Sequence, residues 1–528
     1  MHAADLRQRA LMPVLVFLGT VVAVISSLGA PLVPTIAAVD HVSLSEAQWS
    51  LTVTMLVGAV ATPVMGRLGD GPRRRAVMLG AVATVLVGSV LGALPLGFEY
   101  LVVGRALQGV GLGLTPLAIA TARDCLAGER ARSAVALLSI TTVAGVGLGY
   151  PLTGLLAQSF GLHAGFWFGA TISAAALAAG ALVLPAAAAD RRPAPLDALG
   201  AVLLGLGLSG VLLVLSEGEN WGWTAPGLLA LAVGAVLLLA WWVHHELRTA
   251  HPLVDLRSLR NRVVLTADVA GLVAGVGMYL LMSLLTRFVQ TPSSAGYGFG
   301  ATVTVAGLVL LPFSVTSVLS SKVVPVLARR TSPALVLPIG CGLSLLSMLF
   351  FLTAHDRLWE AFAVLAIAGL GVGCTFAVMP GLIVGAVPAD QTGSAVAFNQ
   401  VLRYVGYSTG SALSAAVLQA HTAPGHVLPS GDGYRVATLI GCAVWVLVAV
   451  ITIVLPRHRA ATGPGVTVPG VTVPGVTAPG VTAPGVTTAA GGRPSGRTVD
   501  EEQPVNESTT VATPGGSTPP GRDSGART

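Results

Sequence analysis

From about residue 11 to residue 456 the sequence is one apolar stretch after another, cut by short polar breaks into fourteen pieces. These run roughly 11–38, 47–69, 75–97, 100–120, 132–156, 163–186, 196–216, 226–247, 263–289, 297–321, 333–354, 358–380, 393–419 and 436–456. About 20 apolar residues suffice for a helix to cross a bilayer. Hydrocarbon admits only structures whose backbone groups bond internally, so pieces of this length and composition specify helices. The expected fold class is therefore an all-α polytopic membrane protein. Charged residues make up 10% of the chain, against about 25% in a soluble domain. The first piece follows a weakly basic start, Arg7 and Arg9, without a small-residue cleavage site, and reads as a retained span.

The breaks alternate in charge. One set holds Arg73 to Arg75, then Arg123, Arg130 and Arg132, then Arg191 and Arg192, then Arg248, Arg257, Arg260 and Arg262, then Arg329 and Arg330, and finally Arg457 and Arg459. The other set holds essentially Arg357 and Arg435, with Glu99-Tyr100 and the run from Glu217 to Trp223. Such a bias over short loops marks the cytoplasmic side, so both termini are expected there. Trp221 and Trp223 read as interfacial anchors, with substrate recognition as the alternative. The net charge of +6 is spread over these breaks rather than gathered on one surface, which excludes a nucleic-acid interface. A single Lys, Lys322, among 29 basic residues, together with abundant Ala and Gly, points to a GC-rich bacterial genome and so to a bacterial inner (plasma) membrane. Cys125, Cys341, Cys374 and Cys442 have no ligand spacing. His244, His245 and His251 read as a solvated loop without partner carboxylates. No metal, cofactor or nucleophilic cluster is expected, and the chain does not read as an enzyme.

Fourteen spans divide as six, two and six: a first half over 1–190, two extra central spans over 191–250, and a second half over 251–458. Pro325 to Arg330 is a degenerate relative of the stretch Gly66 to Arg75 at the equivalent place in the other half, and repeated halves are the usual basis of alternating access. After residue 459 the composition changes. Repeats of Val-Thr-Val-Pro-Gly and Val-Thr-Ala-Pro-Gly ending at Gly470, Gly475, Gly480 and Gly485 cannot pack a core, and a disordered cytoplasmic tail is expected over 459–528. The triplet Asn506-Glu507-Ser508 has no meaning on that side of the membrane.

Several polar residues stand where a lipid-facing helix would not carry them. Gly66, Asp70, Arg74 and Arg75 cluster at the end of span 2, where Asp70 is placed to pair with an arginine or a helix N-terminus and to hold a gate, or else is incidental to a basic loop. Arg105 lies well inside span 4 with Gln108 one turn on, so both face one side, either lining a cavity or snorkelling to the edge. Gly109 to Gly113 and Gly145 to Gly149 mimic a dinucleotide fingerprint, but neither follows a strand. Such glycines let membrane helices approach closely. Gly145, Gly149, Pro151 and Gly154 make span 5 pliable, as a moving element or a structural kink. In span 9, Asp268 is a candidate proton carrier or a solvated helix-end acid, with Tyr279 close to the same face. In span 13, Asn399, Arg403 and Tyr407 recur every four residues and face a cavity or a neighbouring span. Thr141, Thr142 and the Ser/Thr-rich span 10 add cavity polarity, whereas Arg287 reads as snorkelling.

These residues carry a resemblance. Gly66 to Arg75 is similar to the inner-loop motif of the major facilitator superfamily, with Gly66, Leu68, Asp70, Arg74 and Arg75 matching. Gly104 to Gly109 resembles its span 4 motif, in which the arginine is linked to proton coupling. Gly145 to Gly154 resembles the span 5 motif of exporters, and Gly393 to Leu413 the corresponding span of fourteen-span exporters. The resemblance covers about residues 11 to 456. It implies the major facilitator fold, two six-helix bundles plus two extra central spans, in the fourteen-span drug:proton antiporter branch. Such exporters often carry an acidic residue early in span 1; this chain has none there, which leaves the proton to Asp268 or another group. The function so implied is proton-coupled efflux of small apolar or amphipathic compounds by a monomer in contact with lipid. Export or symport of one metabolite or amino acid is the second reading, and a non-transporting scaffold a third.

Overall fold

A computed structural model describes residues 2–28, 32–185, 195–331, 333–423 and 428–454. Residues 1–461 form one compact unit. The repetitive stretch and its expected disorder lie outside the described residues, as do Arg191, Arg192, Arg457 and Arg459. The regular elements of the described residues are helices, in the order α1 (His2–Ser27), α2 (Val33–Val39), α3 (Leu44–Asp70), α4 (Arg74–Ala93), α5 (Phe98–Val110), α6 (Leu114–Cys125), α7 (Gly128–Phe160) and α8 (Leu162–Val183). Then come α9 (Ala198–Trp221), α10 (Pro226–Arg248), α11 (Arg262–Gln290), α12 (Val303–Val309), α13 (Leu311–Arg330), α14 (Pro333–Thr353), α15 (Leu358–Ala386), α16 (Thr392–Ala420) and α17 (Gly431–Val454).

Twelve segments are helical, long and apolar enough to cross a membrane among the described residues. Two further expected spans coincide with α7, 33 residues long, and α16, 29 residues long. Glycine and polar side chains dilute the apolar character of both. Local sequence explains the interruptions within spans. Span 1 stops at Ser27 and restarts as α2 with Pro34 in its first turn, where a missing N–H costs nothing. Gly111–Gly113 tighten into a single 3-10 turn that joins α5 to α6. Pro312 sits in the first turn of α13, where it separates α12 from it. Ser43 and Glu46 form a reciprocal capping box that starts α3, with Glu46 N donating to Ser43 Oγ at 3.1 Å and Ser43 N to Glu46 Oε2 at 2.8 Å.

Arg74 pairs with Asp124, Arg123 reaches Pro388 and Arg329 pairs with Glu129, so these arginine-bearing breaks share one end of the bundle, hereafter the arginine-rich end. α11 packs along α16, α1 along α7, and α13 and α14 along α15. α3 meets α16, and α7 meets α13 and α15, so helices far apart in sequence touch across the centre. Of the central pair, α9 packs on α3 and α16, while α10 turns Val233, Val236, Leu237 and Trp241 outward, as a lipid-facing helix does.

Candidate functional site

At the arginine-rich end, α3 is tied to α16. Asp70, the last residue of α3 and 4% exposed, accepts hydrogen bonds from Gly393 N at 2.7 Å and Ser394 N at 3.0 Å. These amides belong to the first turn of α16, where N–H groups lack helical acceptors and the helix dipole favours an anion. Gly66, one turn earlier, makes the approach achievable: a β-carbon there would lie 2.6 Å from Ala397 Cβ and 2.8 Å from Gly393 O. The arginines beside Asp70 brace other groups. Arg74 donates through Nε to Gly69 O at 2.6 Å and through Nη1 to Asp124 at 2.5 Å, and Arg75 donates to Ala181 O at 2.7 Å. Arg123, which the sequence shows only as one more basic loop residue, crosses to the turn between α15 and α16 and donates to Val387 O, Pro388 O and the Thr392 hydroxyl. Its targets are mostly carbonyls, which no sequence pattern displays.

Arg105 is fully buried and forms a hub among α1, α3 and α5. Its Nε donates to Ser50 O at 3.1 Å, Nη1 to Ile25 O at 3.0 Å and Gln108 Oε1 at 2.7 Å, and Nη2 to Ser26 O at 3.1 Å. Ile25 and Ser26 lie in the last turn of α1, whose carbonyls carry the negative end of the helix dipole. Backbone dipoles thus solvate the charge. Gln108 passes the network to Ser89 Oγ at 3.0 Å. This burial excludes snorkelling for Arg105.

The polar stripe of α16 lies against α11. Asp268 is 3% exposed and accepts from Asn399 Nδ2 at 2.9 Å, while the same Nδ2 donates to Ala267 O at 3.0 Å. It is therefore not a solvated helix-end acid. One turn on, the fully buried Arg403 donates from Nη2 to Gln400 Oε1 at 2.7 Å and lies over the Phe376 ring, 4.5 Å from its centroid. Tyr407 stacks on Tyr279 with 4.7 Å between ring centroids. Gly271 and Gly275 of α11 leave room for Asn399, Arg403 and Tyr407.

Beyond Gly66, α3 and α16 separate around a cavity. Tyr279, Tyr404 and Tyr407 form one wall, with Arg287 and Ser411, facing Gln48, Thr52 and Met55 of α3. The remaining wall comes from the central pair: Leu212, Leu215 and Ser216 of α9 and Trp223 just after it. Ser216 and Thr52 exchange a hydroxyl hydrogen bond at 3.1 Å. Trp223 thus contributes to the cavity wall, the alternative to an interfacial anchor. Its ring packs on Gly218, where a β-carbon would lie 2.5 Å away, whereas Trp221 is exposed. Arg287, expected to snorkel, is at the cavity wall. The sequence signal for α9 was weak, because its lining residues look like any apolar span.

Other expected positions fall elsewhere. Thr141 is not on this cavity's wall: its hydroxyl donates to Leu138 O at 2.7 Å, and it fills the space left by Gly19. The side chains of Thr142 and Tyr150 are outside the described residues. In span 10, Ser317 and Ser320 bond to their own helix and pack against Gly373, so they serve close packing rather than a cavity. In α7, Gly145 and Gly149 abut Ala23 and Ser27 of α1, and Ser27 Oγ donates to Gly145 O at 3.1 Å. Gly154 has open space around it, and the helix runs on through Pro151. His244 and His245 lie in the last turns of α10 rather than in a loop, and His245 contacts Asp197 at 2.8 Å. Among the described residues no group of three or more His, Cys, Asp or Glu is placed to hold a metal.

A bundle of long apolar helices with charged groups buried inside it is a membrane-protein architecture, and comparison with known proteins gives it a family. A family model described as Major Facilitator Superfamily matches residues 15–411 and 269–477. The chain belongs to this superfamily, whose members are transporters rather than enzymes. It is 30% identical over 424 residues to an uncharacterized MFS-type transporter of Mycobacterium tuberculosis, covering 78% of this chain and 60% of that protein's length. It is 27% identical over 445 residues to the multidrug efflux pump LfrA of Mycolicibacterium smegmatis, covering 82% of this chain and 87% of the relative. The fold is also similar to the crystal structure of the human organic anion transporter MFSD10, with a TM-score of 0.59, 17% identity, and coverage of 84% of this chain and 99% of the other.

Proposed function

We propose that this protein exports small apolar or amphipathic compounds across a bacterial plasma membrane in exchange for protons, by alternating access. The observation that carries the proposal is Asp268, a carboxylate buried between α11 and α16 and held by the neutral amide of Asn399. A carboxylate so deep in an apolar bundle is stable neutral or with a compensating charge, which is what a group that takes up and releases a proton requires. α7 and α16 complete the twelve apolar helices to fourteen spans, arranged as six, two and six, in the drug:proton antiporter branch. The arginine-rich end faces the cytoplasm, with both termini on that side. Asp70 and Arg123 close that end, and the cavity between α3, α9, α11 and α16 receives the compound. The likeness to a multidrug efflux pump over most of the chain supports this reading.

The test is reconstitution into proteoliposomes with an imposed pH gradient, followed by addition of cationic dyes, antibiotics and small metabolites. Several unrelated compounds should move protons through the wild type, and Asp268→Asn should reach the membrane in equal amount yet move none. Coupled transport retained in Asp268→Asn would sink the assignment of the proton. A response to one metabolite alone would redirect the reading to a specific exporter.

A further inference from the structure

Arg403 is more than a member of a polar stripe. Of its three guanidinium nitrogens only Nη2 makes a hydrogen bond; Nε and Nη1 meet no partner among the described residues, although the side chain is fully buried. The hydroxyl of Tyr407 sits against this guanidinium without completing a hydrogen bond, and the amide nitrogen of Gln400 is also unpartnered. A buried cation with unused donors is costly to keep unless it has a use. A second, separate observation comes from the cavity on the other side of Tyr407. Its wall includes Arg287 and, among the described residues, no Asp or Glu. The flat ring faces are there too, in the stacked pair Tyr279 and Tyr407 and in Trp223.

We infer that the cavity selects planar aromatic compounds that carry an acidic group, a carboxylate or a phenolate, with the rings against Tyr279, Tyr407 and Trp223 and the anion drawn to Arg287 on the wall and by the charge of Arg403, which lies behind Tyr407 and off the wall. Aromatic faces are platforms for flat apolar rings, and a buried guanidinium with no carboxylate beside it keeps a positive field that favours an anion in the adjoining cavity. Asp268 is engaged by Asn399 and does not occupy that role at Arg403. This inference rests on the proposed transport of amphipathic compounds and narrows them to acids.

The test is binding to the purified full chain in detergent, read by fluorescence anisotropy, with two dyes that share a xanthene skeleton. Fluorescein carries a carboxylate and a phenolate, and tetramethylrosamine carries a positive charge. Wild type should bind fluorescein saturably and at least about tenfold more tightly than tetramethylrosamine. Arg403→Gln should weaken fluorescein by about tenfold and leave tetramethylrosamine unweakened, and Arg403→Lys should recover part of the loss. Arg287→Gln, at an exposed position, should lower the preference by about two- to threefold. Tighter binding of the cation, equal losses for both dyes in the variants, or saturable binding of neither would overturn the inference. No pH gradient is present in this assay, so its result is separable from that of the transport experiment. A preference for the cation with coupled transport intact sinks this inference alone, and a preference for the acid without coupling sinks the proton reading alone.

Discussion

Asp70 and Gly393 are 323 positions apart, yet the carboxylate of one accepts the backbone N–H of the other at 2.7 Å. The contact joins the end of α3 to the start of α16 and is strengthened by the dipole of a 29-residue helix. It works only because Gly66, on the same face of α3, lets the backbones meet.

Asp70→Asn keeps the shape but removes the charge from the helix terminus, at a cost of about 1–2 kcal/mol. The equilibrium should shift by about tenfold toward an open arginine-rich end. Spin labels at Leu68→Cys and Asp390→Cys, both exposed positions flanking the contact, should show a longer distance population growing in the Asp70→Asn background. An unchanged distance distribution would show that the contact does not hold this end closed.

Gly66→Val puts a branched side chain where even a β-carbon meets Ala397 and Gly393 O. Neither neighbour is the tip of a flexible side chain, so the helices must separate. A loss of about 1–3 kcal/mol is expected for the closed arrangement, seen as increased protease cleavage at the arginine-rich end of the protein in membranes.

Two glycines of α7 separate packing from flexibility. Gly145→Ala places its methyl carbon 2.2 Å from Ala23 Cβ and should destabilise the protein by about 1–3 kcal/mol. Gly154→Ala meets nothing within 4 Å and should be neutral or stabilising, by up to about 1 kcal/mol from helix propensity. Thermal unfolding in detergent distinguishes them. If Gly154→Ala also abolished transport without lowering stability, bending at that glycine would be part of the cycle.

Arg105→Lys retains the charge but loses the planar fork that reaches four acceptors on α1, α3 and α5. Leaving buried carbonyls unpaired should cost about 2–3 kcal/mol. Lower thermal stability together with impaired transport is the expected outcome, and a stable, fully active variant would reduce the hub to ordinary packing.

By contrast, Arg329 and Glu129 also pair across the bundle, at 3.5 Å, but their side chains are 74% and 49% exposed. Exposed pairs contribute under about 1 kcal/mol. Glu129→Gln should therefore leave both unfolding temperature and gate distances nearly unchanged.

Much of the fold is legible in the chain because hydrophobic length is a local property. The apolar stretches become the long helices of the bundle, with arginines at their ends. Gly66, Asp70, Arg105, Asp268 and Asn399 could be singled out because a charge, an amide or a glycine in such a stretch is unusual in lipid. Thr141 shows the complementary case: a threonine in a membrane helix satisfies itself by donating to its own backbone, so its polarity says little about a cavity. Leu212 and Leu215 of α9 went unrecognised as cavity lining because apolar residues look alike whether they face lipid, protein or a ligand.

The sequence by itself determined that the chain is a membrane bundle, which residues are too polar or too small to face lipid, and where helices are interrupted by glycine and proline. Only the tertiary structure decided what those residues meet. Asp70 bonds to amides of α16, Arg105 to carbonyls at the end of α1, and Arg403 to one amide and an aromatic face. The physical reason is that most of these partners are backbone groups or ring faces. Every residue carries the former and many carry the latter, so no pattern of residue types marks the ones that packing brings into reach.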